Sequence, residues 1–287
     1  MPSLIDFRRR IRSVKNTQQI TKAMKMVSAA KLRRAQERVI AARPYAQTMR
    51  EMLANLVAAA AGEESAAGSP WLTRREVKRI DLIFFSSDTG LAGAFNSNLL
   101  KAAQKFHADS PNAKISLTLV GRKGRDFYRK RPSDILQEFI NILNRPTYQD
   151  AAGIAREVIR RFHAGETDAV YVLNNEFKSV MSQKLSVMQI LPLEMEAGAA
   201  PVGNYIYEQS PVEMLERLLP RYVEVAVFRA MLETVASYQA ARMTAMDTAS
   251  SNAKDVIEAL TLKMNRIRQA AITKEIIEVV SGAAAAE

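Results

Sequence analysis

The fold is decided by residues 221–281, RYVEVAVFRAMLETVASYQAARMTAMDTASSNAKDVIEALTLKMNRIRQAAITKEIIEVVS, a stretch with neither glycine nor proline. Ala, Glu, Arg, Leu and Met are plentiful in it, which suits a helix interior. Its apolar side chains recur at steps of three and four. Val225, Phe228, Leu232 and Val235 make one run, and Met246, Ala249, Ala253, Val256 and Leu260 a second. Leu260, Met264, Ile267 and Ala271 make a third. Seams of this kind bury about two positions per heptad against a partner helix. The helix is predicted from about Pro211 to Ser281.

The partner lies at the other end of the chain. Residues 1–61 contain no glycine, and after Met1-Pro2 their only proline is Pro44. Leu4, Phe7, Ile11 and Val14 step by three, four and three; the phase then drifts and resumes at Ile20, Met24 and Val27. Sixty such residues would extend roughly 90 Å, and a pattern of that length points to a coiled coil. One helix enters the middle of the chain and the other leaves it, so the two must pair antiparallel. Gln18, Gln239 and Arg242 interrupt the seams and are predicted stutters, where the supercoil loosens. The C-terminal helix is the longer one, and its last ~15 residues are expected to project alone. The alternative is two helices of one large bundle, but no further long helix lies between them to complete it.

The middle of the chain has a different period. Ala61–Pro70 is small and Gly/Ser-containing, a linker or loop. Arg79–Ser86 (RIDLIFFS), Lys114–Val120 (KISLTLV) and Ala169–Asn174 (AVYVLN) are short apolar runs bounded by turn signals, hence buried strands. Gln183–Leu191 reads as a further strand, antiparallel in one reading. Asn96–His107, Arg122–Arg131 and Tyr148–His163 read as helices, and Ile135–Ile142 fits either strand or helix. Met195–Asn204 is a loop. The class is α/β: a long antiparallel coiled coil of N- and C-terminal helices plus a Rossmann-like α/β domain. The predicted divisions are 1–60, 75–205 and 209–287.

Composition narrows the function. The 287 residues are 48% hydrophobic and 25% charged, ordinary for a globular protein. No apolar run reaches transmembrane length, and the charged start (Asp6, Arg8 to Arg10) is not that of a secretory signal. Without cysteine there is no disulfide, thiolate metal site or thiol switch. His107 and His163 stand far apart and read as packing or surface residues. Of the net +11, residues 1–60 hold +10, from 13 Lys and Arg against Asp6, Glu37 and Glu51. That asymmetry implies an acidic partner for the N-terminal helix.

Candidate chemistry is sparse. Ser87-Asp88-Thr89-Gly90-Leu91-Ala92-Gly93 follows a strand and precedes a helix, where a phosphate loop would lie. It lacks the Gly-Lys-Ser/Thr end of a P-loop and the third glycine of a dinucleotide fingerprint. Gly121-Arg122-Lys123-Gly124 is too short. Both read as tight turns. No nucleophile–base set, His-Glu-x-x-His pattern or paired carboxylates appear. Arg8 to Arg12, Lys22, Lys25, Lys31, Arg33, Arg34 and Arg38 form a basic stripe suited to phosphates or to protein carboxylates. The alternative function is accordingly a basic coiled-coil nucleic-acid-binding or scaffold protein, and a third is an α/β nucleotide-binding enzyme.

Several stretches resemble one family. Residues 12–31 (RSVKNTQQITKAMKMVSAAK) resemble the opening helix of the gamma subunits of F-type ATP synthases, and Arg43-Pro-Tyr-Ala46 fits the same helix. Ser86–Asn96 resembles the family's first βα turn, with Thr89 and Ala92 where Arg and Cys are often found. Ala241–Met246 and Asn265–Gly282 resemble its final helix. The resemblance spans both ends and the middle, in order.

It implies a non-catalytic subunit of the synthase, the central rotor stalk, with no cofactor of its own. The implied partners are a 3:3 ring of alpha and beta subunits, an epsilon subunit and a c-ring. No nucleic acid is implied, and the membrane is met only through the c-ring, at the cytoplasmic face of a bacterial cell membrane. By position in the motif, Arg268 and Gln269 would hydrogen-bond a beta-subunit loop, with Thr273 and Glu275 nearby. Lys22, Met24 and Lys25 would lie beside the beta subunits' acidic lever. Ile276, Val279 and Val280 would sit in an apolar sleeve, and Tyr205, Tyr207 and Glu208 would face the c-ring and epsilon side. Read without the family, Met24 and Ile276 are coiled-coil core, and Thr273 and Glu275 ordinary helix surface.

Overall fold

A computed structural model describes residues 4–60, 71, 76–193 and 209–284. The predicted linker at 61–70, the loop at 195–204 and Tyr205, Tyr207 and Glu208 lie outside the described residues. In chain order the elements are α1 (Leu4–Ala60), β1 (Arg79–Phe85), α2 (Phe95–Asp109), β2 (Lys114–Val120), α3 (Arg122–Tyr128) and β3 (Asp134–Phe139). A 3-10 turn (Ile142–Asn144) follows, then α4 (Tyr148–His163), β4 (Ala169–Phe177), β5 (Gln183–Leu191) and α5 (Pro211–Ala284). The chain divides into two compact units, residues 29–242 and, separately, 1–28 with 243–287.

Within residues 29–242 the sheet runs β3-β2-β1-β4-β5, parallel except for β5, which is antiparallel to β4. The central strands are buried on both faces, which is why β1 and β2 read as unbroken apolar runs. Alternate residues of β1 serve opposite layers. Ile80, Leu82 and Phe84 pack with Leu99 of α2 and Tyr128 of α3, while Ile83 and Phe85 pack with Ile154 and Phe162 of α4. Asp81 is the polar exception in this run. It is almost wholly buried and held by the Arg161 guanidinium at 2.8 and 3.2 Å, so its charge is matched rather than stranded. Helix α4 opens on a capping box between Thr147 and Asp150.

Ile135–Ile142 is resolved as strand up to Phe139. It is a half-buried edge strand, followed by Asn141 in the left-handed region (φ 64°) and the 3-10 turn. The helix expected over Arg122–Arg131 stops at Tyr128, because the residue before Pro132 is disfavoured in helical geometry.

The stutter expectations at Gln18 and Gln239 require correction. Along α1 the buried and half-buried positions include 4, 7, 11, 14, 18, 21, 25, 28, 32, 35, 39, 42, 46, 49, 53 and 56, an unbroken heptad sequence flanked at its shoulders by half-buried residues such as Met24. The seam passes through Gln18, Thr21 and Ser28, polar residues that an apolar count skips. Ile20 and Val27, read as its resumption, are 59% and 56% exposed. Around Gln239 the period of α5 is lost for another reason: residues 230–240 are buried apart from half-buried Val235. This stretch packs against both α1 and the sheet.

The charged centre of that packing is Glu233. Its carboxylate accepts from Phe177 N at 2.8 Å and from Arg43 Nη2 at 3.2 Å, with Arg229 Nε 3.9 Å away.

Candidate functional site: the exposed faces of the paired helices

Residues 4–28 of α1 and 243–284 of α5 pair antiparallel within their own unit. Lys263 Nζ lies 5.9 Å from the centroid of the buried Phe7 ring. Gln18 Nε2 donates to Ser250 O at 3.4 Å, the hydroxyls of Thr21 and Ser250 meet at 2.7 Å, and Lys25 Nζ reaches Asp247 at 2.6 Å. On α5 the matching seam is Met246, Ser250, Ala253, Ile257, Leu260, Met264, Ile267 and Ala271. Ile257, not Val256, takes the inner position; Val256 is 46% exposed. The middle of this interface is polar, with small side chains and hydroxyls where leucines would give a tighter seam.

The residues that the resemblance assigns to beta-subunit contacts fall in two patches of this unit. Lys22 is exposed, Met24 is half-buried at the shoulder of the seam, and Lys25 is half-buried and already paired with Asp247. An ion pair this exposed is worth at most about 1 kcal/mol, so Lys25 remains exchangeable. Roughly 30 Å further along α5, Arg268, Gln269, Thr273 and Glu275 are all exposed. Thr273 Oγ1 donates back to Gln269 O at 2.9 Å, which leaves its lone pairs outward. Successive helix turns align Arg268 with Glu275 and Gln269 with Thr273.

From Ile272 to Ser281 every side chain is exposed, beyond the last residue of α5 that α1 can cover. Ile276, Val279 and Val280 are 58%, 71% and 62% exposed, so Ile276 is not core in this chain. Ile272 and Ile277, which the sequence reading did not single out, belong with them at 48% and 58%. Contiguous apolar exposure of this kind marks an interaction surface. Ile20, Met26 and Val27 form a second outer apolar group on α1, also missed. The apparent drift in phase was its signal, since two apolar rows were read as one.

The βα turn is committed to internal bonds. Asp88 Oδ1 accepts from Arg122 N and Asn141 N at 3.1 and 3.0 Å; Lys123 N donates to Ser87 O at 3.0 Å, and Gly124 N to Ser86 Oγ at 2.8 Å. The first amides of α3, which could have cradled a phosphate, therefore already have partners. Asn96 Oδ1 accepts from Ser87 N at 3.1 Å, and the Thr89 hydroxyl bonds that of Tyr238 on α5. A side chain at Gly121 (φ 103°) would place its Cβ 2.2 Å from Ser86 O, so the turn and α3 are pressed together. The two histidines are packing residues: His163 meets Trp71 edge-on at 4.2 Å, and burial lowers the pKa of His107.

The family model described as ATP synthase matches residues 3–286. A chain named ATP synthase gamma chain from Solibacter usitatus is 60% identical over 287 residues, covering all of both chains. One of the same name from Desulfitobacterium hafniense is 49% identical, again over the whole of both. This chain belongs to the ATP synthase gamma chain family.

Solved structures agree on the fold. The Tetrahymena thermophila mitochondrial ATP synthase central stalk and c-ring contains a chain with TM-score 0.63 and 25% identity, covering 80% of this chain and 99% of that one. The Euglena gracilis mitochondrial rotor gives 0.66 at 21% identity, covering 94% and 98%. A gamma chain is a central-stalk rotor subunit of the synthase, peripheral, and not its catalytic subunit. Among the described residues no helix is long and apolar enough to cross a membrane.

Proposed function

We propose that this chain turns inside a ring of three alpha and three beta subunits, with the bare end of α5 as its upper bearing. The exposure of Ile276, Val279 and Val280 beyond the reach of α1 carries the reading. Side chains so apolar and so open need a cover, and an apolar sleeve at the top of the ring supplies one without fixing the angle of rotation. Parts 1–60 and 209–287 form the shaft, and 75–205 the base that meets the epsilon subunit and the c-ring. Tyr205, Tyr207 and Glu208 are assigned to the c-ring side. The assembly sits on the cytoplasmic face of the cell membrane.

Coupling follows from asymmetry. Three identical catalytic sites each meet a different face of one shaft, so turning the shaft shifts each site's conformational equilibrium in sequence. Arg268 and Gln269 hydrogen-bond a beta-subunit loop, with Thr273 and Glu275 beside them. Lys22, Met24 and Lys25 face the acidic lever of a beta subunit. Exposed charge pairs of at most about 1 kcal/mol can be made and broken in every turn.

The test is reconstitution. The chain should co-purify with alpha and beta subunits at 3:3:1, and Arg268→Ala with Gln269→Ala should lower ATPase turnover several-fold while circular dichroism stays unchanged. A chain that remains alone and binds DNA with a steep salt slope would sink the reading; unchanged turnover would remove the role of that pair.

A further inference from the structure

Three residues of the basic stripe on α1 also line a cationic pocket on residues 29–242. It encloses about 400 Å³ between α1, the loop after the 3-10 turn and α5, within the range of small-molecule sites. Lys31, Arg34, Arg38 and Arg145 line it, and no acidic side chain does. The first three stand at i, i+3 and i+7 and so share one face of α1. Neighbouring Arg33, by contrast, is 3.4 Å from Glu37. Leu143, Leu232 and Val235 give the pocket an apolar floor. Gln239, 8% exposed, also lines it, and its Oε1 is buried without a hydrogen-bond partner among the described residues.

Four like charges around one cavity repel one another, and a multivalent anion relieves that cost. Guanidinium groups match phosphate oxygens in pairs. A carboxylate would offer Gln239 Oε1 only further acceptors, whereas a protonated phosphate or a ribose hydroxyl can donate to it. We infer that the pocket binds a small polyphosphate anion, inorganic or carried by a nucleoside.

Calorimetric titration of the full-length chain with pyrophosphate and with ADP, near physiological salt, tests this. One saturable site is expected. Arg34→Ala and Arg38→Ala should each weaken it about tenfold or more, Arg145→Lys should weaken it less, and Arg33→Ala should leave it within about twofold. Unchanged far-ultraviolet circular dichroism would show that the variants are folded. Equal affinity for the two ligands assigns the inorganic source; tighter ADP binding that Gln239→Leu abolishes assigns the nucleotide. No saturable binding at millimolar ligand overturns the inference, as does an equal loss in Arg33→Ala, which would mean diffuse charge. Binding that vanishes when the chain is assembled with alpha and beta subunits would mean that an acidic protein loop fills the pocket, and would overturn it too.

Discussion

Tyr128 shows how a single side chain sets a limit on stability. Its ring packs edge-on against Phe84 and Phe127, and its hydroxyl is buried with no partner among the described residues. Burial pushes its pKa from 10.0 up to about 12. The unfolded chain therefore ionises first, so the contribution is complete below pH 10 and disappears as pH climbs to about 12. The loss is on the order of 2 kcal/mol. Tyr128→Phe should flatten this alkaline limb in denaturant titrations and cost nothing at pH 7; an unchanged limb would refute the assignment. Gly121→Ala carries the opposite expectation. With φ at 103° and Ser86 O 2.2 Å from the added Cβ, it should lose at least about 3 kcal/mol in the same assay. The sequence marked Gly121 as a turn residue, yet nothing in it revealed Ser86 as the obstacle or Asp88 as the acceptor for two distant amides. Those facts depend on tertiary proximity, which spacing does not encode.

Among the elements, the paired helices show what periodicity can and cannot tell. Their existence, direction and length were legible because residues 1–61 lack glycine and hold only Pro2 and Pro44, while residues 221–281 lack both glycine and proline. Their register in the middle was not, because Gln18, Thr21, Ser28 and Ser250 occupy inner positions without being apolar. The strands β1, β2 and β4 were read directly, since strands buried on both faces leave continuous apolar runs, whereas β3 at the edge left a mixed one. A polar seam should make the pair easier to part. Gln18→Leu with Thr21→Val is expected to slow amide hydrogen exchange across residues 4–28; faster or unchanged exchange would contradict that. Glu233 has the reverse role, binding α1, β4 and α5 through Arg43, Phe177 N and Arg229. Glu233→Ala should cost about 3–5 kcal/mol in equilibrium unfolding, and a loss below 1 kcal/mol would show that the cluster is not what secures these elements.

At the scale of the whole molecule, a subunit with two long helices, a sheet whose βα-turn amides are bonded internally and a bare apolar end makes sense only within an assembly. The contact residues came from the family motif rather than from physics, since exposed Arg268 and Gln269 look like any helix surface. The absence of cysteine makes rotation directly observable. Lys130→Cys, in the exposed turn after α3, accepts a single bead when the chain is assembled with alpha and beta subunits fixed to a surface. With ATP present the bead should turn in one direction in three-fold steps. A complex that hydrolyses ATP while the bead stays still would contradict the account.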